Sequence, residues 1–167
     1  MFEDMTQQML QFIDACPTSY HVIANLKERL LQQSFTELRE AESWELKKGG
    51  RYFVTRGGSS IISFQIPQVS FRGFYMIASH SDSPSFKIKE NAEMPEGGAY
   101  IKLNVEKYGG MLMAPWFDRP LSIAGRIMVR DKDGKVTAKL VNVDRDLVML
   151  PSLAIHMNRD ANSGYSY

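Results

Sequence analysis

Apolar positions along the chain change their period about a third of the way in. Met5, Met9, Phe12 and Ile13 recur at helical spacing, with Gln7, Gln8, Gln11 and Asp14 elsewhere. This predicts a helix over residues 5–15. Cys16-Pro17-Thr18-Ser19 interrupts it, and Thr18 or Ser19 can cap a second helix running to about Gln33. Val22, Ile23, Leu26 and Leu30 form its apolar stripe, while Lys27, Glu28 and Arg29 face water. Core packing is the expected use of both stripes.

Residues 51–56 and 60–66 are rich in β-branched and aromatic side chains, with Gly57-Gly58 between them. That pattern predicts a hairpin. Residues 71–78 are almost continuously apolar, as in a strand buried on both faces. A polar loop comes next, Ser79-His80-Ser81-Asp82-Ser83-Pro84, and then Phe86 and Ile88 alternate with Lys87 and Lys89. Residues 90–99 are polar, carry Pro95, Gly97 and Gly98, and read as a domain boundary. Beyond them Ile101, Leu103 and Val105 alternate with Lys102, Asn104 and Glu106. Residues 121–130 and 135–143 flank Asp131-Lys132-Asp133-Gly134, a second hairpin signal.

Composition narrows the possible functions. The 167 residues carry 20 Lys+Arg against 19 Asp+Glu, a formal net charge of +1, with 44% hydrophobic residues. That balance gives no general electrostatic grip on nucleic acid. No apolar run approaches a membrane span, and Glu3, Asp4, Gln7 and Gln8 break up any signal peptide at the start. One cysteine, Cys16, excludes an internal disulfide framework and a cysteine-rich zinc site. With three histidines, any metal site must draw on carboxylates or be incomplete.

The sharpest local feature is His80-x-Asp82 after the apolar stretch. Ligands of open α/β sheets sit beyond the carboxyl ends of strands. Neutral imidazole is a common metal ligand, and a carboxylate two residues on can orient the ring. Alone, the pattern also fits a loop histidine satisfied by its neighbour. A serine hydrolase built on Ser81 or Ser83 lacks a Gly-x-Ser-x-Gly elbow. The glycine pairs have no phosphate-loop spacing and read as turns. Nothing marks Cys16 as a nucleophile. His21 reads as a helix-start or packing residue. His156 lies in an apolar run, Leu153-Ala154-Ile155-His156-Met157, which by itself favours a buried or half-buried structural histidine. Trp116-Phe117-Asp118-Arg119 reads as an aromatic anchor with its acid–base pair hydrogen-bonded at a turn.

Taken in order, these segments resemble the aspartyl aminopeptidases, a family of zinc-dependent exopeptidases. The resemblance runs through Thr18–Asn25, Phe35-Thr36-Glu37-Leu38, Trp44 and Gly50–Arg56. It continues through Ser79–Pro84, with Ser81 where Thr is common, then Tyr108-Gly109-Gly110, Trp116–Arg119 and Leu153–His156.

The resemblance implies an α/β sandwich catalytic domain holding two metal ions, usually zinc, with a mainly β dimerisation domain inserted into it. By position, residues 1–89 correspond to the first part of the catalytic domain. Residues 90–167 correspond to the first part of the insertion, cut partway. His80 is implied as a zinc ligand, Asp82 as the catalytic-site aspartate supporting it, and His156 as a substrate-binding residue reaching a neighbouring subunit's active site. The implied activity is metal-assisted removal of N-terminal, preferably acidic, residues from peptides by a cytoplasmic homo-oligomer. The family's other site residues, including a glutamate base, lie downstream of the positions matched here. The 167-residue chain by itself is therefore expected to be inactive. The alternative is a non-catalytic protein that joins full-length subunits through its β region.

Overall fold

A computed structural model describes residues 2–98 and 100–163. Their order is α1 (Phe2–Asp14), α2 (Ser19–Gln32), β1 (Thr36–Leu38), β2 (Arg51–Arg56), β3 (Ser60–Gln65), β4 (Ser85–Glu96), β5 (Tyr100–Tyr108), β6 (Ala124–Arg130) and β7 (Val136–Asn142). A single 3-10 turn, Ala114–Trp116, lies between β5 and β6. The chain is mixed α/β, as expected. It forms two compact units, Met1–Asp82 with Ala124–Val143, and Ser83–Ile123 with Asp144–Tyr167.

The first unit is organised around β2. This strand pairs in parallel with β1 and antiparallel with β3, so it is central in the sheet. Successive strand residues point to opposite faces. Tyr52 and Phe53 are nevertheless both buried, Phe53 completely, so β2 is covered on both sides. The Tyr52 ring packs 5.7 Å from that of Phe64, and its hydroxyl accepts the Lys47 N–H at 2.9 Å. From α2, Ile23 is buried and the rest of the predicted stripe is half-buried.

The Gly57-Gly58 turn behaves as its composition predicts. Both glycines have positive φ, 62° and 74°, which L side chains resist. Arg126 of β6 donates from Nη1 to the Gly57 carbonyl at 2.7 Å and lies 4.2 Å from the Tyr20 ring centroid. One guanidinium thus joins the β6–β7 hairpin to both the turn and α2. At the far end of that hairpin, Asp131 Oδ1 accepts the backbone N–H groups of Asp133 and Lys135, which fixes the predicted reversal.

The second unit contains the long β4–β5 ribbon. Residues 90–96, polar in sequence, continue β4, and Gly97 and Gly98 follow it with positive φ. A two-stranded ribbon exposes much of both faces and so accepts polar residues. Its outer edge also tolerates Pro95, which has no N–H to donate. A register shift sets residues 89–92 against Asn104, breaking the simple alternation.

Two expectations change. Residues 71–84 form neither helix nor strand, and Phe74, Tyr75, Met76 and Ile77 are almost fully exposed. A strand exists only by pairing, and no described strand pairs with this stretch. Most of the α1 stripe is likewise exposed, at Met5, Met9 and Ile13. Phe12, the half-buried member of that stripe, joins the helix to α2, its ring lying under the Arg29 guanidinium.

Phe53 is the largest wholly buried side chain described. Phe53→Ala is expected to cost about 3–5 kcal/mol, a large part of the stability of a small unit. Urea denaturation followed by circular dichroism checks this, as a lowered midpoint.

Candidate functional site

The loop bearing His80 is held at two points. Ser81 Oγ donates to the Ser59 carbonyl at 3.1 Å, fastening the loop to the β2–β3 turn. His80 Nδ1 lies 2.9 Å from the Asp82 carbonyl oxygen and 3.2 Å from Asp82 Oδ1. Both Asp82 atoms are acceptors, so the contact selects the Nδ1–H tautomer of neutral His80. Nε2 then carries the lone pair. The His80 side chain is 83% exposed, so this nitrogen is accessible. The structure therefore brings together His80 and Asp82, two of the residues singled out from the sequence.

His156 belongs to the second unit, where Ile155–Met157 form a turn. The Met157 and Asn158 N–H groups both donate to the Ala154 carbonyl, at 2.8 and 3.1 Å. The apolar run around His156 does not bury it. His156 is exposed, as are Leu153, Ile155 and Met157.

The same unit holds a site whose second half was not visible in the sequence. Asp118 has a φ of 55°, a left-handed conformation that Asp tolerates better than most residues. Its N–H donates to the Leu150 carbonyl at 2.9 Å, beside the parallel bridge between Phe117 and Leu150. Its carboxylate receives the Ser152 N–H on Oδ1 at 2.8 Å and the Ser152 hydroxyl on Oδ2 at 2.5 Å. The Ser152 hydroxyl and then the Ser152 amide hold the Asp118 carboxyl below the usual carboxylate range. The hydrogen-bonded turn expected at Trp116–Arg119 is thus present. Its partner, Ser152, carried no local signal, because it lies 34 residues away. The Trp116 ring packs edge-on against Phe86 at 5.4 Å.

The remaining candidates stay structural. His21 Nδ1 meets the Thr18 hydroxyl at 2.8 Å, and burial lowers its pKa, favouring the neutral ring. Thr18 occupies the N-cap of α2, but its hydroxyl turns to His21 rather than to the helix backbone. Burial raises the Cys16 thiol, outweighing the nearby Arg29, so the unreactive thiol form is favoured.

Among the described residues, no three His, Cys, Asp or Glu side chains gather to hold a metal ion. The donor set here fits one position of a zinc site: one imidazole with a carboxylate orienting it. A zinc site takes about four ligands.

Comparison with known proteins identifies the family. Residues 12–167 match the family model for Aminopeptidase I zinc metalloprotease (M18), and the chain belongs to that family. It is 46% identical over 165 residues to "Probable M18 family aminopeptidase 2" of Clostridium acetobutylicum, covering 97% of this chain and 38% of that protein. Its fold superposes on a chain of the Ape4 and Nbr1 complex with a TM-score of 0.89 and 42% identity, covering 96% of this chain and 31% of that one. The S. cerevisiae mApe1 dodecamer matches with a TM-score of 0.84 and 30% identity, covering 93% of this chain and 37% of that one. The chain thus spans less than two fifths of the length of the relatives it matches.

The geometry at Asp118 makes a pH prediction. A carboxyl depressed in the folded state stabilises it above the ordinary carboxylate range, and that contribution is lost as pH falls through the lowered value. The Ser152 amide resonance is therefore expected to titrate at a pH below the ordinary carboxylate range. In Asp118→Asn that step disappears from the proton–nitrogen correlation spectrum.

Proposed function

We propose that this chain is part of a zinc aminopeptidase that removes N-terminal residues, preferentially acidic ones, from peptides. The observation that carries the reading is the His80–Asp82 contact, on a loop fastened to the β2–β3 turn. His80 would hold zinc through Nε2, while Asp82 keeps the ring in the required tautomer and orientation. Zinc supplies Lewis acidity toward a carbonyl and lowers the pKa of bound water when present. His156 would enter the active site of a neighbouring subunit and bind substrate there. Its exposure on a turn supports that use.

In this reading residues 1–89 begin the α/β catalytic domain and residues 90–167 begin an inserted β-rich dimerisation domain. The enzyme is a cytoplasmic homo-oligomer. The mApe1 dodecamer supports assembly, and no described helix is long and apolar enough to cross a membrane. Residues 71–78 would gain their strand partners from the rest of a longer chain, which accounts for their apolar composition. The 167 residues alone are inactive, since one imidazole with its orienting carboxylate cannot complete a zinc site.

The test uses full-length protein and p-nitroanilides of Asp, Glu, Leu and Lys. Chelator-sensitive hydrolysis led by Asp or Glu is expected, and no turnover by residues 1–167 alone. Asp82→Ala should lower activity about 10–100-fold, with His80→Ala lower still. Chelator-resistant activity, or full activity in His80→Ala, would refute the reading.

A further inference from the structure

We infer that Asp118 is a positioning residue for His156, acting through Ser152. This rests on the proposed role of His156 in substrate binding. The backbone sets the frame. Phe117 and Leu150 form a parallel bridge, and the Asp118 N–H closes on the Leu150 carbonyl at 2.9 Å. Leu121 donates to the Val148 carbonyl at 2.9 Å on the other side of the crossing. These bonds align the two segments, and Pro151 fixes its own φ, but neither gives the Ser152 N–H a partner. The Asp118 carboxylate supplies that partner. One oxygen takes the Ser152 amide and the other its hydroxyl, so position and rotation are fixed together.

The segment after Ser152 is short and locally bonded. The Ala154 carbonyl, two residues on, accepts both N–H groups that close the turn. His156 sits inside that turn, four residues from the clamp. Its own exposure and that of Leu153, Ile155 and Met157 mean that core packing does not place it. The anchored Ser152 is the nearest side-chain clamp preceding it along the chain. The left-handed φ of Asp118 belongs to the same device, since it turns the carboxylate back toward residue 152.

In this role Asp118 acts through Ser152 rather than on substrate or metal. A group held even about 1 Å out of place can cost roughly 100-fold in rate, so the clamp is expected to matter to catalysis without reacting.

The test is a double-mutant cycle in the full-length enzyme. Asp118→Gly removes the carboxylate and keeps the left-handed backbone unstrained. Asp118→Asn keeps one acceptor for the Ser152 amide and tolerates the same φ. Assembly is checked by light scattering, and kcat and KM are measured for each variant alone and combined with His156→Ala. Asp118→Gly should lower kcat/KM by roughly 10- to 100-fold, and Asp118→Asn should recover part of the loss. In the His156→Ala background Asp118→Gly should cost little more, because the two residues act as one unit. Equal losses in both backgrounds would overturn the inference. So would a normal Asp118→Gly enzyme beside an impaired His156→Ala enzyme, leaving the role of His156 intact. Wild-type activity in His156→Ala would overturn that role and the inference together.

Discussion

The carbonyl oxygens of one hairpin turn hold the first unit in the form its candidate site requires. Gly57 offers its carbonyl to Arg126, and Ser59, two residues later, offers its own to Ser81. The first bond brings in a hairpin from 69 residues away, and the second fastens the loop that carries His80. Both depend on two adjacent residues in the left-handed region, a demand that glycine meets without strain. At Gly58 the demand is conformational, since a Cβ there would meet Arg126 and Tyr20 only at ordinary contact distance, 3.7 and 3.8 Å. Turn chemistry, sheet order and the placement of His80 are thus one problem with one local solution.

The second unit follows the same economy with a different device. Where the first unit uses turn carbonyls as acceptors, the second uses a carboxylate. Asp118 closes a crossing between segments 34 residues apart, and neither segment is a regular strand there. Few side chains in the described molecule are deeply buried, so such polar ties carry much of the local order. Exposed hydrogen bonds of this kind are individually weak. Their geometric effect is larger than their energetic one, because each fixes a chain segment that packing leaves loose.

Local sequence made the elements with local causes legible. Both helices, the β2–β3 hairpin and the β6–β7 hairpin arise from periodicity and turn residues within a few positions of one another. The pairing of His80 with Asp82 is equally short-range and was visible as a pattern. Features that depend on distant partners escaped. Residues 71–78 have the composition of a buried strand, but composition does not supply neighbours, and the described chain leaves them open. The strand over residues 90–96 was hidden because a two-faced exposed ribbon needs few apolar side chains. β1 is only three residues long and is defined by pairing with β2, so periodicity had too little to work on. Ser152 was invisible because nothing near it in the chain marks it as the partner of Asp118. The exposure of His156 reversed the inference from its apolar neighbours, which are exposed with it.

At the centre stands the proposal that His80, held by Asp82, serves as a zinc ligand. The most direct measurement is the zinc content of the full-length protein after gel filtration, by inductively coupled plasma mass spectrometry, for wild type and His80→Ala. Bound zinc is expected in the wild type, with the loss of at least one ion per subunit in the variant and assembly unchanged. Equal zinc content in the two proteins would contradict that role for His80.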